Sequence, residues 1–170
     1  AIGREWQLAT EQLDFVQPER FDLEYTAEDG TKQRPVMIHK ALLGSLERFM
    51  SVYIEHTAGS FPTWLAPVQV LLAPVSGEKH APGAEELATK WRALGMRVEV
   101  DAANETIGKK VRNAAAMKVP YIIVLGDREL AGEELSVRVR GSETPVTISA
   151  EKFVEEIMRQ IKTRDSEVKL

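Results

Sequence analysis

The sequence contains no cysteine in its 170 residues. Disulfides are therefore excluded, and so is any thiolate metal site built by this chain alone. A reducing compartment is compatible with that composition. Aromatic residues make up only 6% of the chain, and no apolar run approaches the roughly 18 residues that a membrane span needs. Ala1 to Phe15 also lack the basic start and apolar stretch of a secretion signal. The expected location is cytoplasmic, with no membrane partner. A surplus of positive charge is missing too: 22 Lys and Arg stand against 26 Asp and Glu, a formal net charge of -4. That balance argues against a broadly basic nucleic-acid binder.

What is present is a composition of 44% hydrophobic and 28% charged residues, enough for one ordinary core or two small ones. The charge is unevenly placed. Residues 1–66 carry 6 basic against 10 acidic residues, whereas residues 67–170 carry 16 of each. Within the second part, Lys109, Lys110, Arg112 and Lys118 stand against a single acid, Glu105, and form a modest positive patch. On charge alone such a patch fits a solvated helix face as well as a few phosphate contacts.

The periodic pattern breaks at GSFPTWLAP, residues 59–67, with one glycine and two prolines. A domain boundary is expected here, giving parts 1–62 and 63–170. In the first part, Glu5–Phe15, Phe21–Thr26 and Gln33–His39 read as antiparallel strands, with Glu28-Asp29-Gly30 as a turn. An amphipathic helix follows from about Ala41 to His56. In the second part strand and helix alternate: Val68–Pro74, a helix over Ala84–Leu94, Arg97–Val100, and a helix from Asn104 to about Met117. VPYIIVLG at 119–126 reads as a central buried strand, with Leu135–Val139 and Val146–Ile148 at or near an edge. A last helix starts at Ser149 and buries Phe153, Ile157 and Ile161; the tail DSEVKL is expected to fray. The second part is thus expected to be an α/β domain with a mixed sheet and three helices.

The strings WQLATEQLDF (6–15), RPVMIHKALLGSLERF (34–49), FPTWLAPVQV (61–70) and DAANETIGKKVRNAAAMKVPYIIVLGDRE (101–129) resemble the threonyl-tRNA synthetase family of class II aminoacyl-tRNA synthetases, in order and at family spacing. The resemblance covers nearly the whole chain. It implies the last section of a class II catalytic domain, with a partial antiparallel sheet and a helix, followed by an anticodon-binding domain. The implied activity of the parent protein is ATP-dependent attachment of threonine to its tRNA.

GSLERF corresponds to the third class II motif, and the resemblance assigns Arg48 to stacking on the adenine of ATP, with Ser45 beside it. A guanidinium held by a rigid helix suits a flat ring. Gln7 and Thr10 match positions near the ribose and phosphates of ATP, and Gln12 matches one beside the threonine. Alternation along a strand, however, places Thr10 and Gln12 on one face and Gln7 on the other unless a bulge intervenes. His39, in MIH, matches one of three zinc ligands; its family partners, a cysteine and a histidine, have no counterpart among residues 1–170. The chain departs from the usual family residues at Leu8 and Lys40. The resemblance thus implies zinc, Mg-ATP, threonine and a homodimer for the full-length enzyme. No stoichiometric cofactor is expected on this chain, and no activity by itself, because the first two class II motifs are absent from it.

For RNA, the resemblance assigns Asn104, Glu129 and Arg138 to anticodon bases and Arg112 and Lys118 to basic positions near the loop. An amide, a carboxylate and a guanidinium can all make directional hydrogen bonds to base edges, and unpaired loop bases expose those edges. Glu129 is expected to confer specificity and not affinity. The alternative is a stand-alone RNA-binding module derived from such an enzyme. A protein-interaction domain is a third reading, which leaves the base-reading trio without a purpose.

Overall fold

The computed structural model describes residues 3–132 and 134–170. The chain forms two compact units that divide between His56 and Thr57, ahead of the glycine- and proline-rich stretch at 59–67.

The first unit contains β1 (Thr10–Asp14), α1 (Val16–Arg20), β2 (Tyr25–Thr26), β3 (Lys32–Gln33), β4 (Met37–Ala41) and α2 (Leu46–Thr57). β1 and β4 pair antiparallel, as do β2 and β3. The strand expected over Glu5–Phe15 is confined to Thr10–Asp14. It stops there because the Asp14 carboxylate accepts from the backbone N–H groups of Val16 and Gln17 at 2.9 and 3.0 Å, which turns the chain into α1. The extended segment expected at Phe21–Thr26 shrinks to β2, since Phe21 and Asp22 close α1 with backbone bonds to Gln17 and Glu19. The expected turn is present: Gly30 has φ +80° and Asp29 holds the Thr31 amide and hydroxyl. α2 starts later than Ala41. Leu43 and Gly44 both have positive φ, 67° and 66°, which no helix accommodates, and the Ser45 hydroxyl then caps the helix by accepting from the Arg48 N–H at 3.1 Å.

The second unit is built on a five-stranded sheet ordered β6-β5-β7-β8-β9, from β5 (Val70–Pro74), β6 (Val98–Val100), β7 (Tyr121–Leu125), β8 (Glu134–Val139) and β9 (Val146–Ser149). β5 lies parallel to both β6 and β7, and β8 and β9 continue antiparallel. The sheet is mixed, with YIIVL at its centre, as the apolar run implied. Parallel neighbours need crossovers, and α3 (Ala81–Ala93) and α4 (Ile107–Ala116) supply them on opposite faces.

One face buries Val70, Leu72, Tyr121, Ile123 and Val137 under α3 and α6 (Ala150–Thr163), with Trp91 and Phe153 meeting at 5.3 Å between ring centroids. The other face packs Leu71, Val119 and Ile122 against Val111 and Ala114 of α4. Besides the three helices expected, a five-residue α5 (Asp127–Ala131) follows β7.

The C-terminal tail is docked, contrary to expectation. Val168 and Leu170 pack on the core, and the Lys169 carbonyl accepts from the Tyr121 hydroxyl at 3.1 Å and the Gln160 amide at 2.6 Å. Thr63, Gln69 and Gln160, all fully buried, complete this network: Thr63 Oγ1 donates to Gln160 Oε1 at 2.7 Å, and the Gln69 amide to the Thr63 carbonyl.

Candidate functional site

In the first unit, one face of the β1–β4 pair gathers polar residues. Thr10, Gln12 and Asp14 lie opposite Ala41, His39 and Met37, and residues directly opposite share a face. Gln12 and His39 are therefore immediate neighbours. The conflict over Gln7 is resolved by the start of β1 at Thr10. Outside the ladder, Gln7 is free to turn back, and its amide donates to Thr10 Oγ1 at 2.6 Å. Arg48 reaches the same segment from α2, with Nη1 3.4 Å from the Gln7 carbonyl. A Cβ at Gly44 would make only ordinary contact, 3.5 Å from the Gln7 carbonyl and 3.7 Å from Arg48 Nη1, so what favours glycine there is its φ of +66°. Gln7, Thr10, Gly44, Ser45 and Arg48 thus form one constellation.

His39 is hydrogen-bonded through Nε2 to Asp14 Oδ2 at 2.9 Å. The Asp14 carboxyl sits below the usual carboxylate range, first because of the Gln17 N–H and then because of His39. Asp14 was missed in the sequence, although alternation from Gln12 places it on this face. Among the described residues no three His, Cys, Asp or Glu side chains converge. The described residues therefore do not complete a zinc centre by themselves, and His39 could supply one ligand at most.

In the second unit one RNA candidate, Arg138, lies on β8 and another, Glu129, on the short helix before it. β8 alternates strictly: Leu135, Val137 and Val139 are buried, whereas Glu134, Ser136 and Arg138 point the other way. Ser136 pairs with Thr147 of β9, and Arg138 with Ile122 of β7. A depression of about 650 Å³ lined by Glu129, Glu134, Ser136 and Thr147 lies at the end of this face. Ser136 separates Arg138 from that depression by one step along the strand, so the sheet places Glu129 and Arg138 along one polar track. Ser136 and Thr147 carried no sequence signal apart from alternation.

Glu129 is half-buried and already engaged, its Oε2 accepting from the Gly126 N–H at 3.0 Å at the start of α5. Arg138 and Arg112 are exposed, and among the described residues neither guanidinium has a hydrogen bond or ion pair with another protein group. Lys118 terminates α4 with φ +59°, and its carbonyl accepts from Arg140 at 2.6 Å. Arg140 also donates to the Phe61 carbonyl, so the chain around residue 61 is tied to β8.

Asn104 stands apart from Glu129 and Arg138. It belongs to the loop after β6, because Thr106 and not Asn104 caps α4, its Oγ1 accepting from the Lys109 N–H. Its side chain is exposed and has no hydrogen-bond partner among the described residues. It lines a separate cleft of about 490 Å³.

The positive patch is smaller than the sequence implied. Lys109 is paired with Glu105 at 2.5 Å, and Lys110 is buried, 1% exposed. The signal for that burial was available: Lys110 stands three residues after Ile107 and four before Ala114, on the apolar stripe itself.

Nearby, His80 is buried and accepts from the Ser76 N–H through Nδ1, which leaves Nε2 to donate to Asp127 at 3.2 Å. Lys79 bonds the same carboxylate at 2.7 Å, and this bond, then that of His80, holds Asp127 below the usual range.

Comparison with known proteins gives a consistent picture. A family model described as "Anticodon binding domain" matches residues 69–160, and one described as "tRNA synthetase class II core domain (G, H, P, S and T)" matches residues 1–57. A threonine–tRNA ligase of Thermobifida fusca (strain YX) is 49% identical over 164 residues, covering 96% of this chain and 25% of its own length. That of Thermotoga maritima is 46% identical over 170 residues, covering 100% of this chain and 26% of its own length. The chain spans about a quarter of the length of the curated relatives it matches. The crystal structure of the RNA binding domain of threonyl-tRNA synthetase from Cryptosporidium parvum Iowa II is also similar, with a TM-score of 0.85 and 31% identity over 94% of this chain and 40% of that one.

Proposed function

Since the chain belongs to the anticodon-binding domain family, as a homologue of threonine–tRNA ligases, we propose that residues 63–170 read the anticodon loop of threonine tRNA. On the same reading, residues 1–62 supply the third-motif wall of the ligase active site. The supporting observation is the open polar track on β8. A guanidinium with no protein partner among the described residues, Arg138, shares this strand face with the rim of the Glu129 depression, and directional groups of this kind suit exposed base edges. Lys118 and Arg112 contribute phosphate contacts, and Asn104 a further base contact from its own cleft.

In the ligase wall, Arg48 stacks on adenine, Ser45 and Thr10 border the nucleotide with Gln7, and Gln12 lies beside threonine. His39 is one zinc ligand of the whole enzyme, oriented by Asp14, as carboxylates commonly orient ligating histidines. Mg-ATP, threonine, dimer formation and a cytoplasmic location belong to this proposal for the whole enzyme.

The test is binding of an anticodon stem-loop of threonine tRNA to the full chain. Arg138→Ala should weaken it by about 1 to 3 kcal/mol and relax preference at one base. Unchanged affinity and preference would remove the β8 track from the reading.

A further inference from the structure

The cleft that holds Asn104 lies between the loop after β5, residues 75–78, and the loop after β6, residues 102–105. β5 leads into α3 on one face of the sheet and β6 into α4 on the other, so the two loops diverge and a crevice opens at the carboxyl ends of these strands. Both walls are braced. The Asp101 carboxylate accepts from the Ala103 N–H at 3.1 Å, and Ser76 is held by His80 from both sides, through its N–H and its carbonyl.

Lys110 spans the base of the crevice. Its Nζ donates to the Pro74 carbonyl at 3.0 Å, the last residue of β5, and to the Asp101 carbonyl at 2.7 Å, the first residue after β6. Among the described residues it has no carboxylate partner. Burying a charge against carbonyl dipoles alone is costly, and an apolar side chain of this length would fill the space without that cost. What the ammonium adds is a fixed spacing between two strand ends. Gly77 reports the same closeness, since a Cβ there would sit 3.3 Å from the Ala102 carbonyl. On the rim, the Asn104 carboxamide has no partner among the described residues, while Glu78 and Glu105 also line the cleft and disfavour a phosphate.

We propose that Lys110 is a positioning residue: acting through the Pro74 and Asp101 carbonyls, it sets the width of the cleft in which Asn104 would meet an unpaired base of the bound RNA. The inference rests on the anticodon-reading proposal. Its test uses the full chain and threonine-tRNA anticodon stem-loops carrying an abasic nucleotide at each loop position in turn.

With the unaltered chain, the abasic change at one position should lower affinity about tenfold, and Asn104→Ala should abolish that difference. Lys110→Met should lower affinity for the intact stem-loop about tenfold and leave no further loss at that same position, while the other abasic positions cost what they did before. A merely weakened fold would scale all positions alike. Gly77→Ala, a milder change that presses the same two loops apart, should give a smaller loss confined to the same position and serves if Lys110→Met fails to fold. Losses spread evenly over all positions, or none in either variant, would overturn the proposal. If the unaltered chain does not distinguish the stem-loop from a hairpin of scrambled loop sequence, the anticodon-reading proposal falls, and this one with it. If it does distinguish them but the position-selective effect is missing, only the role of Lys110 falls.

Discussion

Glu129 has one duty in the structure and a second in the proposed function, and a pair of substitutions separates them. One carboxylate oxygen accepts the Gly126 N–H at 3.0 Å and closes the first turn of α5; losing such a cap costs about 1 kcal/mol. The proposed second duty is to accept from a base amino or imino group, worth about 1 to 3 kcal/mol of discrimination. Glu129→Ala removes both. Stability should fall by about 1 kcal/mol in urea unfolding, and stem-loop affinity should fall roughly 5- to 150-fold, the equivalent of 1 to 3 kcal/mol. Glu129→Gln keeps an acceptor oxygen for Gly126 but turns the other end of the group into a donor that faces base donors. Stability should then stay within about 0.5 kcal/mol, while specific affinity falls as far as with alanine. Because glutamine also removes a negative charge, affinity for an unrelated RNA hairpin should rise slightly, so specific and non-specific binding move in opposite directions. Fluorescence anisotropy with both RNAs reads the two. Wild-type specific affinity in the glutamine variant would refute the reasoning and leave Glu129 as a helix cap alone.

The backbone at Lys118, with φ +59°, is in a left-handed conformation that costs an L-residue about 1 to 2 kcal/mol. Lys118→Ala should weaken binding of all RNAs alike and reduce the salt slope by about 1; Lys118→Gly should do the same yet raise stability by about 0.5 to 1 kcal/mol, measurable by urea unfolding. Glu156 is held at about 2, from an ordinary 4.5, first by its bond to Arg159. A lowered folded value stabilises fully above pH 4.5 and fades as pH falls toward 2. With Arg159 44% and the carboxylate 27% exposed, Glu156→Gln should cost up to about 1 kcal/mol at pH 7 and almost nothing near pH 2 in the same assay. In the buried network, Tyr121→Phe should cost about 1 kcal/mol, since Gln160 still serves Thr63 and the Lys169 carbonyl. Gln160→Leu strands several of these groups at once and should cost clearly more, with the C-terminal residues gaining protease sensitivity.

The sequence alone was enough for much of this molecule. β-branched runs such as YIIVL specify a buried central strand because nothing else can cover both faces of them. Breaks at Gly59, Pro62 and Pro67 signal a division, Ser149 signals a helix start, and the third-motif and anticodon-domain strings carry the family by their order. These are local properties, legible wherever a residue's neighbours in the chain dictate its conformation.

Other features became visible only in three dimensions, because they depend on groups distant in sequence. The approach of Arg48 to the Gln7 carbonyl depends on where α2 lies beside the segment before β1. Helical spacing puts Lys110 on the apolar stripe, but only the fold shows that the Pro74 and Asp101 carbonyls, at the ends of two strands, receive its ammonium. The docked tail depends on Tyr121 and Gln160, and the relation of Glu129 and Arg138 on one track depends on the register of β7 with β8. Periodicity shows which face a residue takes; only tertiary packing decides what that face meets.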